Sequence, residues 1–221
     1  MGSKKRKYVY KPRVIKAINS TRKTHPIKNK REMNSLMLYF LKKREIAKTD
    51  CKFFQAYRNY ILLLLGFNTA FRAEDLIQLR VDKIKKGYVS IKEFKTNKIQ
   101  NFRMDKRLHN EVLGYIETFK LCDYDFLFTR EPRGFKPLTR QQGDNILYDA
   151  ADAVKLRQDF SMHSMRKTFA YHFYLDTGKL LTCQKMLNHE KPEVTLRYIE
   201  WDTSDMEQER EKTYYSGVRI Y

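Results

Sequence analysis

Apolar residues begin to recur at helical spacing just after Glu32, where Leu36, Met37, Phe40 and Leu41 fall on one face before the charged stretch 42–50 interrupts them. Phe53, Phe54, Tyr57, Ile61, Leu64 and Leu65 repeat the pattern more strongly, which predicts a second helix at the centre of the core. A polar turn then leads into a short amphipathic helix over 73–79, with Arg72 at its mouth. Between 88 and 104 the period changes to alternation: Val89, Ile91 and Glu93 face one way, Tyr88, Ser90 and Lys92 the other. Two strands around the Asn-containing turn 95–98 make a β-hairpin, with Lys95 and Lys98 at its tip.

Helical spacing returns over 106–120 with Leu108, Val112, Ile116 and Phe119. A brief extended piece at 125–128 and a loop at 130–137, which carries Arg130 and Arg133, separate it from the next helix. Thr139 with Gln142 three residues on has the form of a capping box, opening a helix that runs to about Val154. The helix bearing His163 and Arg166 continues through Phe169 and Phe173 to Gly178, a natural stop. A short helix over 180–187 follows, and Pro192 suits the first turn of the one that carries Tyr198. The expected class is α+β, mainly helical, with a small hairpin at one edge.

Composition adds a partner. The 221 residues, 42% hydrophobic and 14% aromatic, suffice for one main core. Lys and Arg number 45 against 26 acids, and a net +19 is the footprint of a polyanion ligand. Double-stranded DNA is the expected partner. A membrane is not, because the longest apolar run, 60–65, is far short of the roughly 20 residues a spanning helix needs. The charge is uneven: twelve of the first 31 residues are basic, beginning with Lys4, Lys5, Arg6 and Lys7, so 1–25 reads as a flexible DNA-tracking arm. Beyond Tyr198 the sign inverts, and 200–221 reads as an acidic tail that docks on a basic surface of this molecule or of a neighbouring protomer. Cys51, Cys122 and Cys183 lack any paired spacing, which fits a reducing, cytoplasmic setting. No carboxylate cluster suggests magnesium, so neither metal nor cofactor is expected.

The chemistry gathers late in the chain. His163 and Arg166, three residues apart on a helix, share a face; His189 follows, and Tyr198 lies nine positions beyond it. Each residue alone has an ordinary explanation: Arg72 as a surface ion-pair partner, His163 as a satisfied helix residue, Tyr198 as one of 15 tyrosines. Tyr214 and Tyr215 are rival nucleophiles without a His at the corresponding distance.

Taken as an ordered set, Thr69-Ala-Phe-Arg72-Ala-Glu-Asp75, Lys95-Thr-Asn-Lys98, His163-Ser-Met-Arg166, Leu187-Asn-His189 and Tyr198 resemble the tyrosine recombinases, the family of phage integrases. The resemblance covers about residues 26–200, expected as the catalytic domain. It departs from the family at Ala70 and Asn188, where Gly is usual, and at Met165 and Lys167. Asn tolerates the left-handed backbone that Gly often serves, and no reactive group is lost. Most members carry a DNA-clamping domain ahead of the catalytic one, so residues 1–25 are either an arm or the stub of that domain.

The resemblance implies a site-specific recombinase that cleaves DNA through a 3′-phosphotyrosyl link, with Tyr198 as nucleophile and Lys95 as general acid. Arg72, Arg166, His163 and His189 would serve the phosphate, and Asp75 would support the site. Lys98, Arg130, Arg133 and the basic arm would bind DNA. An ordinary Tyr pKa of about 10 leaves the phenol about three units from ionising at pH 7, roughly 4 kcal/mol, so the cations and imidazoles have work to do. The resemblance also implies a homo-tetramer on paired sites, accessory DNA-bending proteins, and a phage or mobile-element origin in the bacterial nucleoid. The alternatives are relaxation in the manner of type IB topoisomerases, which usually have Lys where this chain has His163, and a regulatory DNA-binding module that has kept the fold. Deleting residues 1–25 is expected to flatten the fall of DNA affinity with rising salt, because fewer counterions are released; an unchanged slope would mean the arm contacts no phosphates.

Overall fold

In the computed structural model of the chain, residues 24–211 are described; Lys4, Lys5, Arg6 and Lys7 of the expected arm, and Tyr214 and Tyr215, lie outside them. Helix α1 (Lys30–Glu45) starts where the Asn29 side chain accepts the Arg31 N–H, and it buries Leu36 and Phe40. It runs further into the charged stretch than its apolar positions predict. Helix α2 (Asp50–Asn68), capped by Thr49, is apolar nearly all round from Tyr60 onward, with Ile61, Leu62, Leu63 and Leu65 fully buried. Such a helix must lie in the centre. It packs against α1, α5 and α7.

Two short helices follow, α3 (Ala73–Ile77) and α4 (Val81–Ile84), the second not foreseen from the sequence. Strands β1 (Tyr88–Lys92) and β2 (Ile99–Arg103) pair antiparallel, Val89 opposite Phe102 and Ile91 opposite Gln100. After α5 (Lys106–Thr118), residues 119–138 bury Leu127 and Phe128 in the core and form isolated bridges Arg80 to Phe126 and Thr129 to Pro137, the extended piece expected there. Helix α6 (Arg140–Ala153) opens on the Thr139–Gln142 capping box. Helix α7 (Met162–Thr177) ends at Gly178 in the left-handed conformation, φ 66°. The chain then forms α8 (Leu180–Met186), α9 (Pro192–Ile199) and α10 (Thr203–Glu211), the last built from the acidic tail.

The core has two parts. The larger gathers α1 to α7, and a smaller cluster of Ala70, Ala170, Tyr171, Cys183, Leu187 and Ile199 lies beneath α8 and α9. Helix α7 belongs to both. The acidic helix is seated on the chain's own surface: Asp205 is buried, accepts the Tyr171 hydroxyl at 2.7 Å and, with Asp202, pairs with Lys28. Among the described residues no helix is long and apolar enough to cross a membrane.

Gly66 sets how closely α2 approaches α7. A Cβ there would lie 2.7 Å from Met165 Cε and 3.1 Å from Met165 Cβ, and the latter atom cannot swing away. Gly66→Ala is therefore expected to destabilise the domain by about 1–3 kcal/mol in urea unfolding, although Ala is the better helix former by about 1 kcal/mol. A stabilised variant would mean that the two helices part freely.

Candidate active site

Arg166, on the second turn of α7, is 3% exposed and gives two of its guanidinium donors to the backbone. It donates to the Ala70 carbonyl and, at 2.8 Å, to the Leu187 carbonyl. Each of those carbonyls lies two residues before another expected site residue, Arg72 in one case and His189 in the other. One buried cation thereby fixes both segments.

Arg72 precedes α3 in extended conformation, and its Nη1 forms an ion pair with Glu93, a carboxylate with no exposed surface at the end of β1. Arg166 Nη1 lies 3.8 Å from the same oxygen. Asp75, also buried, accepts the Phe94 N–H at 2.9 Å, which clamps the hairpin beside Lys95. Asp75 thus supports the site through the hairpin backbone. Asn188 adopts φ 51°, the left-handed backbone expected of it, and its side chain faces Glu93. Gln100 on β2 donates to the Met186 carbonyl at 3.0 Å, joining the hairpin to the loop before His189.

Tyr198 on α9 stands between two imidazoles. Its ring centroid is 5.3 Å from that of His163 and 5.0 Å from that of His189, both edge-on, with the Lys167 ammonium 5.5 Å away. The hydroxyl is buried beside the Arg166 guanidinium without a well-aligned hydrogen bond. His189 Nδ1 is 3.1 Å from the Thr195 hydroxyl, one turn before Tyr198 on the same helix. A cleft of about 510 Å³ opens onto this centre, lined by Arg72, Asp75, Lys95, Arg140 and His163 with Phe94 at its rim.

The sequence-derived set is therefore gathered together: Arg72, Lys95, His163, Arg166, His189 and Tyr198 converge from five separate segments. Lys98, Arg130 and Arg133 do not line the cleft; all three are exposed, and Arg133 lies 3.7 Å from Asp125. Three further residues escaped the sequence reading. Glu93 stood in the inward-facing set with Val89 and Ile91, and an acid in that register was the signal. Lys167 donates to the Thr24 carbonyl and to Glu200, and Glu200 in turn accepts from His25 at 2.7 Å. Those contacts span the two ends of the domain, beyond the reach of any spacing rule.

Burial governs the proton chemistry. It pushes the Tyr198 phenol up to about 12, against the pull of Arg166 and Arg72. Burial, with Lys167 and Arg166 adding to it, lowers His163 to about 4; burial, Arg166 and Arg72 lower His189 to about 4. At neutral pH the phenol keeps its proton and both imidazoles are neutral, able to accept one. Between the unfolded value of about 6.5 and the folded value of about 4, the unfolded chain binds protons that these imidazoles refuse. Their share of stability is thus complete above about pH 6.5 and is lost as pH falls towards 4. Replacing both by Asn should flatten that acid decline in urea midpoints; an equally steep decline would mean that neither histidine is held neutral.

The Phage integrase family matches residues 37–204. The chain is 32% identical over 175 residues to a probable integrase/recombinase, YoeC, of Bacillus subtilis (strain 168), covering 79% of this chain and 88% of that one. It is 23% identical over 141 residues to the integrase of Escherichia phage P2, covering 63% of this chain and 37% of that one. Among solved structures, XerA recombinase superposes with TM-score 0.68 at 15% identity, over 87% of this chain and 68% of that one. XerH site-specific recombinase bound to its difH substrate gives 0.65 at 20% identity, over 85% and 52%. The catalytic domain of bacteriophage HP1 integrase gives 0.56 at 15% identity, over 86% and 95%. With the family pattern spanning most of the chain and the convergent Arg, His and Tyr residues in its order, this protein belongs to the phage integrase family of tyrosine recombinases, the site-specific enzymes that cleave and rejoin DNA.

Proposed function

We propose that Tyr198 is the nucleophile, attacking a DNA phosphodiester to form a 3′-phosphotyrosyl link and release a 5′-hydroxyl. The observation that carries this reading is the burial of the Tyr198 hydroxyl beside Arg166, with one neutral imidazole on each side of its ring. Arg72 and Arg166 receive the non-bridging oxygens, whose charge grows in the pentavalent transition state; a guanidinium meets it with permanent, directional donors. The phosphate's negative charge makes the nearby imidazoles more basic. His163 then takes the phenolic proton as the Tyr198 oxygen bonds to phosphorus, and His189 bonds a phosphate oxygen.

Lys95, at the rim of the cleft, gives a proton to the departing 5′-oxygen. The new phosphotyrosyl ester retains the energy of the bond it replaced, so a 5′-hydroxyl from another strand attacks it by the reverse route and regains the diester without a nucleotide cofactor. The residues of the site all come from one chain, and each chain offers one Tyr198. Exchanging both strands between two duplexes takes four cleavages, which supports four copies on paired double-stranded sites, with DNA-bending proteins assisting where the sites must be brought together. Lys98, Arg130 and Arg133, exposed outside the cleft, and the basic arm contact flanking phosphates.

On a nicked suicide substrate carrying the recombination site, the wild-type chain is expected to accumulate a covalent DNA adduct and Tyr198→Phe none. An undiminished adduct in Tyr198→Phe would sink the assignment. Relaxation of supercoiled plasmids without site preference would replace recombination by a topoisomerase activity.

A further inference from the structure

We infer that Glu93 is a positioning residue for strand cleavage, orienting Arg72 and the hairpin of Lys95 toward the scissile phosphate; the inference rests on the assignment of those residues above. Glu93 has no exposed surface, yet it is the point where the catalytic segments meet. One oxygen pairs with Arg72 Nη1 and lies 3.8 Å from Arg166 Nη1. The other accepts the Thr96 hydroxyl at the hairpin tip. The Asn188 side chain, next to His189, faces the same carboxylate. Its backbone closes the turn as well: Glu93 N–H donates to the Lys98 carbonyl and Asn97 N–H to the Glu93 carbonyl, both at 2.9 Å.

A carboxylate in this position does what a neutral side chain of similar shape cannot. Two guanidiniums side by side repel each other, and without a counter-charge Arg72 would turn outward to water, whereas Arg166 is held by its two carbonyls. Glu93 holds one edge of Arg72 from behind, which leaves its remaining N–H groups to face the cleft. The cluster of Arg72, Arg166, Glu93 and Asp75 is balanced before DNA arrives, and the burial of Glu93 keeps it from being displaced as a competitor for the phosphate would be.

The test compares Glu93→Gln, Glu93→Asp and Thr96→Val with the wild type and Tyr198→Phe, in the 221-residue chain on a suicide substrate. DNA affinity and the single-turnover rate of adduct formation are measured separately. Glu93→Gln is expected to slow cleavage by roughly 10²-fold, the scale of a misplaced catalytic group, with DNA bound as tightly or more so because a negative charge is gone. Glu93→Asp, which keeps the charge on a shorter arm, should recover part of that rate. Thr96→Val, at the half-exposed hairpin tip, should slow cleavage to a lesser degree and decides the matter if Glu93→Gln does not fold. Wild-type cleavage rates in Glu93→Gln, or in Thr96→Val where it must stand alone, would overturn the inference, as would affinity and rate falling in proportion. An adduct persisting in Tyr198→Phe would instead overturn the nucleophile assignment, whatever the Glu93 variants do.

Discussion

Burying a guanidinium costs several kcal/mol unless its donors are matched, and Arg166 is 3% exposed in the middle of this domain. The matching partners are two backbone carbonyls, Ala70 just past the end of α2 and Leu187 at the end of α8. Met165, next to Arg166, packs into the larger core, while Ala70 and Leu187 belong to the smaller one. The cation proposed to serve the phosphate is thus also the bolt between the two cores. A substitution there would leave two carbonyls unpaired and a void at the junction, so its effect on folding and on catalysis cannot be separated. Glu93 is the more informative position, because its removal leaves Arg166 with both carbonyl bonds.

Much of this arrangement could be read from the sequence, and particular residues show why. Helix periodicity, the Thr139–Gln142 capping box, Gly178 as a stop and the alternation of 88–104 are local effects, and the structure bears them out within a few residues. The order of Arg72, Lys95, His163, Arg166, His189 and Tyr198 was legible only as a set, since each has an unremarkable use elsewhere. What stayed hidden rests on contacts between distant residues. Lys167 touches Thr24 and Glu200, and Lys28 touches Asp202 and Asp205; nothing near any of them in the chain marks the pairing. Helix α4 was missed because its four residues are too few for a period to emerge.

The protonation of the buried groups at this centre follows from burial more than from charge. Two arginines and Lys167 would be expected to ionise a neighbouring phenol, yet Tyr198 is driven upward because its hydroxyl is removed from water. The same cations, with burial, keep the imidazoles neutral. The Tyr198 phenol therefore keeps its proton while both imidazoles lack one. The Glu93 carboxylate already answers Arg72 and Arg166 from within the fold. On the proposed assignment, a phosphodiester adds a further negative charge on the cleft side of the arginines, which makes the imidazoles more basic just where the phenol must give up its proton.

Helix α9 is eight residues long, below the length at which a helix holds itself together, so the placement of Tyr198 must come from outside it. Thr195 secures its middle against His189, and Ile199 is buried in the smaller core. Its end is governed by Glu200, in left-handed conformation with φ 55°, whose carboxylate is held by Lys167 and His25. Thr24 and His25 fall within the stretch expected as a flexible arm, yet here they brace the turn just past Tyr198. These ion pairs are partly buried, the Lys167 side chain being 11% exposed and that of Glu200 24%. Acting on a single αL residue, where a non-Gly backbone is strained, even modest ties decide which way the chain leaves the helix. The position of Tyr198 is thus set as much from residues 24–28 as from the cluster of Arg and His that it faces.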